Sequence, residues 1–315
     1  MSQAIATARA APSRGEVVRA MVACTKPGIT RLVTITALVG FAVAGVGHAW
    51  SGLELVLTAL ACTIGTAMSA AGANALNMWM ERGRDACMTR TMQRPLPAGV
   101  LSPRAVFALG VSLVIVGLSV LLLIGPAPTL VSLACVVTYL VLYTPLKVVT
   151  IWSTIVGAIP GALPPLIGWA AASEQGGLAP LADIRGWSLF ALMFVWQIPH
   201  FLAIAWMYRD DYADGGYRVL PVIDPVGTWT TVSIVFFTLV LIPVTLIPAL
   251  LMPDRLGIVY LPIAMLSGIG FVCLVAHLAV ERTTKRARAV FFGSIIHLPV
   301  LFFAMAGEAL VRVLL

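Results

Sequence analysis

The sequence predicts an all-α polytopic membrane protein with nine transmembrane helices and a cytoplasmic N-terminus. Of its 315 residues, 60% are hydrophobic and only 10% are charged. Soluble domains carry about 25% charged residues, so lipid must cover most of this chain. Nine apolar stretches are each long enough to cross about 30 Å of hydrocarbon as a helix.

The apolar stretches define one membrane domain over residues 26–315, preceded by a basic cytoplasmic tail over residues 1–25. The predicted helices lie at 29–50, 54–79, 103–124, 127–143, 151–172, 187–207, 229–251, 257–280 and 290–314. The fifth contains Pro160, Pro164 and Pro165. Such breakers free backbone groups at membrane depth, which is tolerable only where they face protein or a cavity.

The distribution of basic residues predicts the orientation. With the N-terminus inside, 17 of the 20 Lys and Arg residues lie on the cytoplasmic side. This asymmetry accounts for the net charge of +7 without a nucleic-acid partner, since anionic lipid head groups are the expected partner. The extension before the first apolar stretch is short, which favours a bacterial inner membrane over a mitochondrial one.

Three oxygen-bearing side chains recur every fourth residue after the second helix: Asn77, Glu81 and Asp85. On a helix this spacing places them on one face. Oxygen ligands at the membrane surface suit a hard cation such as Mg²⁺, which shares its sites with substrate phosphates. The alternative is a solvated loop in which these acids and the neighbouring Arg82 and Arg84 neutralise one another.

A second acidic cluster, Asp210, Asp211 and Asp214, follows the sixth helix on the same predicted side. Two facing clusters are able to hold Mg²⁺ ions against one diphosphate and to neutralise the charge that develops as a carbon–oxygen bond breaks. Lys147, between the fourth and fifth helices, would add a cation to this clamp. Its alternative role is that of an interfacial anchor.

His200 lies within the sixth helix, about two turns before the second acidic cluster. Ionisable residues inside membranes are candidates for a function, here the binding of a porphyrin iron. The alternative is a packing histidine, or one that compensates for the break at Pro199.

The run from Asn74 to Pro97 resembles the haem O synthases, also called protohaem IX farnesyltransferases. It carries their Asn-x-x-x-Glu-x-x-x-Asp core, the pair Arg90-Thr91 and the segment Arg94-Pro95-Leu96. The segments Tyr143–Lys147, Trp196–His200 and Asp210–Gly216 are similar to the other signatures of that family and follow its order. The wider resemblance is to the intramembrane prenyltransferases of the UbiA type.

The resemblance implies nine helices around a central cavity and transfer of a farnesyl group from farnesyl diphosphate to a vinyl group of haem B. Water addition would give haem O, and a haem A synthase that serves terminal oxidase assembly is the implied product acceptor. Mg²⁺ is the implied cofactor. The implied metal ligands are Asn77, Glu81, Asp85, Asp210, Asp211 and Asp214, and the implied diphosphate-binding residues are Arg82, Arg90, Arg94 and Lys147.

Two other functions are compatible with parts of the sequence. A prenyltransferase of quinone synthesis, which acts on an aromatic acid, would share the fold and the metal site. A transporter with a midplane site would explain the broken fifth helix. It would leave the acidic loops without a role.

Overall fold

The computed structural model describes residues 12–314, and every regular element in that range is a helix. The α-helices are numbered in chain order: α1 (Arg14–Cys24), α2 (Pro27–Ala44), α3 (Gly52–Asp85), α4 (Pro103–Leu122), α5 (Pro126–Val137), α6 (Thr144–Leu146), α7 (Ser153–Ala162), α8 (Pro164–Ala172), α9 (Ile184–Met207), α10 (Arg209–Asp214), α11 (Leu220–Ile223), α12 (Thr228–Leu251), α13 (Tyr260–Val280) and α14 (Thr284–Leu314). A π-helix, Thr138–Tyr143, joins α5 to α6.

Nine spans within the described residues are long and apolar enough to cross a membrane, which confirms the predicted number. They are α2, α3, α4, α5 to α6, α7 to α8, α9, α12, α13 and α14. The fifth and sixth spans are interior, because 78% and 67% of their apolar windows are buried, against at most 44% elsewhere. The fifth breaks at Leu163, as its prolines predicted.

The predicted end of the second span was wrong by six residues. We expected this helix to end at residue 79, but α3 continues to Asp85. The apolar part of the sequence is shorter than the helix. The last turns of α3 carry polar side chains, and these are buried against other protein segments rather than in lipid. We call the end of the bundle where α3, α6 and α9 finish the motif end.

Glycines allow two pairs of helices to approach closely. A Cβ at Gly72 of α3 would lie 2.6 Å from the carbonyl oxygen of Gly110 in α4. Likewise, a Cβ at Gly168 of α8 would collide with the carbonyl of Ala37 in α2. Small residues at helix interfaces are a general device of membrane proteins, where close backbone packing contributes much of the association energy.

Part of the predicted N-terminal tail is a helix packed on the bundle. Residues 1–11 lie outside the described residues, but α1 packs Ala20 and Cys24 against Met78 of α3 and Val106 of α4. The side chain of Ser13 caps α1 by accepting from the backbone N–H of Glu16. The boundary at residue 25 remains a prediction, although α1 is in contact with the membrane domain.

A buried carboxylate organises the opposite end of the bundle. Glu308 of α14 accepts backbone N–H groups from Ile258 at 2.9 Å and Tyr260 at 2.8 Å, and Arg312 donates to it at 3.0 Å. Glu308 therefore caps α13 and ties it to α14.

Glu308→Gln should lower the free energy of unfolding by about 2–4 kcal/mol, because it weakens several charge-assisted hydrogen bonds and leaves Arg312 without an anionic partner. Thermal unfolding in detergent measures this effect, with the exposed Glu54→Gln as the matched control. Equal melting temperatures for the two variants would contradict the capping role.

Candidate active site

The last turns of α3 bury the three oxygen-bearing residues of the first motif. Asn77 is 0% exposed, Glu81 is 7% exposed and Asp85 is 1% exposed. Their spacing of four places them on one face, and that face is turned toward the protein. They are therefore not part of a solvated loop.

Each of these three side chains is paired with a cation from elsewhere in the chain. Lys26 Nζ donates to Asn77 Oδ1 at 2.7 Å, and Lys147 Nζ donates to Glu81 Oε1 at 2.8 Å.

The third pair is closer in sequence, and its carboxylate is also buried. Arg94 Nη1 lies 2.8 Å from both carboxylate oxygens of Asp85. Buried charges require such partners, since an isolated one costs several kcal/mol. The site is a row of ion pairs and hydrogen bonds at the motif end.

The end of the fourth span places Lys147 next to this row. The π-helix and α6 carry Tyr143 and Lys147, and the ammonium lies 4.4 Å from the centre of the Tyr143 ring. Burial disfavours the charged form, but Tyr143 and then the Glu81 carboxylate outweigh it and raise the pKa of Lys147 well above its usual value. Lys147 is thus a firmly charged member of the site. π-Helical turns occur often at functional sites.

Tyr217, from the segment after α10, completes the surroundings of Glu81. Its hydroxyl is hydrogen bonded to Glu81, and its ring is 5.8 Å from the Lys147 ammonium. Burial, followed by the Glu81 carboxylate, raises the pKa of Tyr217, so the hydroxyl keeps its proton and donates it.

Lys26 was missed as a site residue. It precedes Pro27, the first residue of α2, and holds a left-handed conformation with φ of 48°. A non-glycine residue in that region is strained, and such strain is often found at functional sites. Burial, and then the nearby Arg94 guanidinium, lowers the pKa of Lys26 to about 7.

The two acidic loops contact each other through Asp211. Its carboxylate accepts the backbone N–H groups of Thr89 at 3.0 Å and Arg90 at 3.3 Å, and the Arg90 guanidinium lies 4.0 Å away. The Arg90 guanidinium also lies 5.5 Å from the centre of the Tyr208 ring, at the start of the second loop. The predicted meeting of the two loops is present in the fold.

The side chains of three predicted site residues, Asp210, Asp214 and Arg82, contact neither the buried row nor Asp211. The side chain of Asp210 is 97% exposed and is paired only with its neighbour Arg209, at 3.7 Å. Asp214 is also exposed, and Arg82 folds back to donate to the carbonyl of Trp79 at 2.7 Å. The geometry gives no support to metal binding by Asp210 or Asp214. Sequence spacing missed this because it predicts which acids share a face of α10 but not whether that face is turned toward the protein, and α10 has no buried residue.

The donor set of α3 fits Mg²⁺ in kind, since amide and carboxylate oxygens are the ligands that Mg²⁺ takes from proteins. Within residues 12–314, however, no group of three His, Cys, Asp or Glu side chains is gathered at metal-binding distance. The cations Lys26, Lys147 and Arg94 contact the same oxygens instead. They compensate the negative charge that a divalent cation would otherwise balance.

His200 lies at the contact between α9 and α14. Its Nδ1 is 2.7 Å from the hydroxyl of Ser294, and its ring stacks on Trp196 at 4.8 Å and on Phe291 at 5.1 Å between centroids. A hydrogen bond at Nδ1 fixes the ring orientation and leaves Nε2 as the remaining nitrogen.

Comparison with known proteins identifies this arrangement. Residues 33–304 match the UbiA prenyltransferase family. The chain belongs to this family. It is therefore a prenyltransferase, and the buried row at the motif end is the candidate active site of a UbiA enzyme.

Relatives of the chain within the UbiA family carry a specific name. A protein from Solibacter usitatus (strain Ellin6076), named protoheme IX farnesyltransferase, is 43% identical over 284 residues, which cover 88% of this chain and 94% of the relative. A protein of the same name from Anaeromyxobacter sp. (strain Fw109-5) is 40% identical over 308 residues, or 97% of this chain and 98% of the relative.

Solved structures support the UbiA fold. A digeranylgeranylglyceryl phosphate synthase matches with a TM-score of 0.76 and 16% identity over 95% of this chain and all of its own. A UbiA homolog from Archaeoglobus fulgidus, bound to GPP and Mg²⁺, matches with a TM-score of 0.59 and 15% identity over 91% of this chain and 98% of its own.

Proposed function

We propose that this enzyme transfers a farnesyl group from farnesyl diphosphate to a vinyl group of haem B, with addition of water, to give haem O. The observation that carries the proposal is the similarity, over nearly the whole chain, to proteins named protoheme IX farnesyltransferase. The buried row supports the diphosphate half of the reaction, because it concentrates cations and acids at one end of an apolar bundle.

The cations of the buried row would bind the diphosphate. Lys147 and Arg94 each bind one carboxylate and Lys26 binds one amide oxygen, and a polyanion offers them a more highly charged partner. Arg90, held beside Asp211, reaches the same region from the loop after α3. Charge-assisted hydrogen bonds from these groups would stabilise the leaving diphosphate as its negative charge grows.

Movement of the cations toward the diphosphate would free oxygens of Asn77, Glu81 and Asp85. These residues, with Asp211 from the second loop, are the proposed Mg²⁺ ligands. When bound, Mg²⁺ supplies charge neutralisation at the breaking carbon–oxygen bond. The known structure of an A. fulgidus homolog with GPP and Mg²⁺ is compatible with this assignment.

The reaction balances without a redox partner. The carbon–oxygen bond of farnesyl diphosphate breaks, and diphosphate leaves with the electron pair. The haem vinyl group then attacks the allylic cation, which forms the new carbon–carbon bond. Water captures the resulting cation and loses a proton, which leaves a hydroxyl group. Tight packing of the motif end would restrict water until that last step.

We propose the bacterial inner membrane as the location, with the motif end in the cytoplasm and a haem A synthase as product acceptor. The charge asymmetry of the loops supports the orientation. Reporter fusions to the segment between α9 and α12 and to the loop between α12 and α13 test it, since only the former should report a cytoplasmic position.

A product assay tests the function. Purified enzyme in detergent receives haem B, farnesyl diphosphate and Mg²⁺, and mass spectrometry follows haem that gains one farnesyl unit and one water. EDTA should abolish the product. Farnesylation of an aromatic acid instead of haem would move the function to quinone synthesis. Turnover without a membrane gradient would exclude the transporter alternative.

The depressed pKa of Lys26 predicts a pH dependence of substrate binding. Because this pKa is about 7, the charged fraction of Lys26 in the ligand-free enzyme falls as pH rises through 7. A bound diphosphate favours the ammonium, so binding above pH 7 must take up a proton. The KM for farnesyl diphosphate should therefore rise between pH 7 and about 9. In Lys26→Arg, which stays charged, the rise should be smaller. Parallel pH profiles for both enzymes would contradict this role.

His200 is proposed as a ligand of the haem iron through Nε2, since Ser294 occupies Nδ1. His200→Ala should change the optical spectrum of bound haem, and Ser294→Ala should change it less, because it alters only the orientation of the ring. The exposed His277→Ala is the control. A spectrum unchanged in His200→Ala would assign the ring to packing between α9 and α14.

A further inference from the structure

A cleft of about 560 Å³ lies on the exposed side of the last turn of α3. Its walls are residues 80–87 of α3 with the following turn, and residues 214–216 at the end of α10. The buried row of ion pairs makes no use of this cleft.

Glycines leave part of the lining without side chains. Gly83, Gly215 and Gly216 all line the cleft. A Cβ at Gly83 or Gly216 would meet no atom within 4 Å, so the space above both backbones is open. Met80, 39% exposed, adds an apolar wall. Such a surface leaves room for a ligand directly against the backbone.

The cations of the motif end fall into two sets. The first set pairs with acids of the buried row: Arg94 with Asp85 and Lys147 with Glu81. The second set, Arg82 and Arg84, lines the cleft. Among the described residues, the guanidinium of Arg84 has no hydrogen-bonding or ionic partner. That of Arg82 donates to the Trp79 carbonyl and lies 5.2 Å from the centre of the Trp79 ring. Arg84 is therefore the cation of the cleft that is paired with no described residue.

The cleft and the buried row share the last turns of α3. Arg82 follows Glu81 and Arg84 precedes Asp85, so the arginines lie on a different face of the same turns as the buried acids. On the other wall, a Cβ at Gly215 would lie 3.0 Å from the sulfur of Met88, in the loop that Asp211 binds. A molecule in the cleft therefore lies one helix diameter, about 10–12 Å, from the proposed diphosphate site.

We propose that this cleft is the acceptor subsite, in which Arg84 and Arg82 hold the propionate carboxylates of the porphyrin. The inference rests on the proposed function and specifies where its second substrate binds. Guanidinium groups bind carboxylates through paired, charge-assisted hydrogen bonds. Asp214, the acid of the lining, disfavours a diphosphate more than a single carboxylate, which keeps the two substrates apart.

Cys87 provides a reporter, because it is exposed and lines the cleft. Haem B should slow the alkylation of Cys87 by N-ethylmaleimide about tenfold at ten times its Kd, by simple occupancy. Haem B dimethyl ester, which lacks free carboxylates, and farnesyl diphosphate should give little protection. The variant Cys87→Ala is the control, because it reports the alkylation of the remaining cysteines. Equal protection by haem and its dimethyl ester would overturn the assignment of the propionates.

Two variants test the cleft by turnover. Arg84→Gln should raise the KM for haem by roughly tenfold, the loss of about one charge-assisted hydrogen bond, without changing the KM for farnesyl diphosphate. Gly83→Leu should fill the cleft and act similarly, and folding should tolerate it because the space is open. The control, Gly270→Leu on α13, also has open space around it.

The outcomes separate this inference from the proposed function. If the wild-type enzyme makes no farnesylated haem, the proposed function is wrong. If it makes that product and both Arg84→Gln and Gly83→Leu retain the wild-type KM for haem, the proposed function stands and the cleft is not the acceptor subsite.

Discussion

Replacing Asp85 with asparagine should lower turnover by about 10²–10³-fold, the usual cost of removing one electrostatic contact to a developing charge. Asp85 is 1% exposed and binds Arg94 through both oxygens, so its carboxylate serves both the proposed metal and the diphosphate clamp. Asparagine keeps the shape but removes the charge. Steady-state kinetics with saturating substrates measure the effect.

Asp210→Asn is the matched control for this experiment. Asp210 belongs to the second acidic motif but is 97% exposed, so its loss should change turnover less than about twofold. Asp211→Asn should resemble Asp85→Asn, because Asp211 joins the two loops. Near-normal turnover of Asp85→Asn, or a large loss in Asp210→Asn, would contradict the site as described.

Lys147→Met has the second large expected effect. Lys147 is the cation that contacts Glu81, at 2.8 Å. Its removal should reduce kcat/KM for farnesyl diphosphate by roughly 10²-fold, since a charge-assisted contact contributes about 1.5–3 kcal/mol. Stability should fall as well, by about 3–5 kcal/mol, because the buried Glu81 carboxylate loses its cationic partner and keeps only the Tyr217 hydroxyl.

A double variant separates these two consequences. Lys147→Met with Glu81→Gln removes both buried charges, so the melting temperature should recover while turnover stays low. The exposed Lys285→Met is the control for loss of a lysine. An unchanged kinetic response to farnesyl diphosphate in Lys147→Met would exclude Lys147 from the diphosphate site.

Periodicity and composition were sufficient to predict the nine spans and the shared face of Asn77, Glu81 and Asp85. These features depend on local repetition, namely apolar runs of membrane length and a four-residue spacing. The break at Leu163 was also predictable from the sequence, since a proline disrupts the helix that contains it. The resemblance to haem O synthases placed the motifs in order but did not say which side chains touch.

Local sequence patterns could not predict which side chains of the site contact each other. Lys147 and Glu81 are 66 residues apart, and Lys26 and Asn77 are 51 apart, so only the fold brings them together. The exposure of Asp210 depends on how α10 lies on the surface, which composition does not specify. Lys26 had a weak local signal, a lysine directly before the proline that begins α2.

The most direct test of the account is the product assay run in water enriched in ¹⁸O. The account predicts a haem heavier by one farnesyl unit and one water, with the label in the new hydroxyl group, and no such product after EDTA treatment. Recovery of unmodified haem with intact farnesyl diphosphate, from folded enzyme supplied with Mg²⁺, would contradict it.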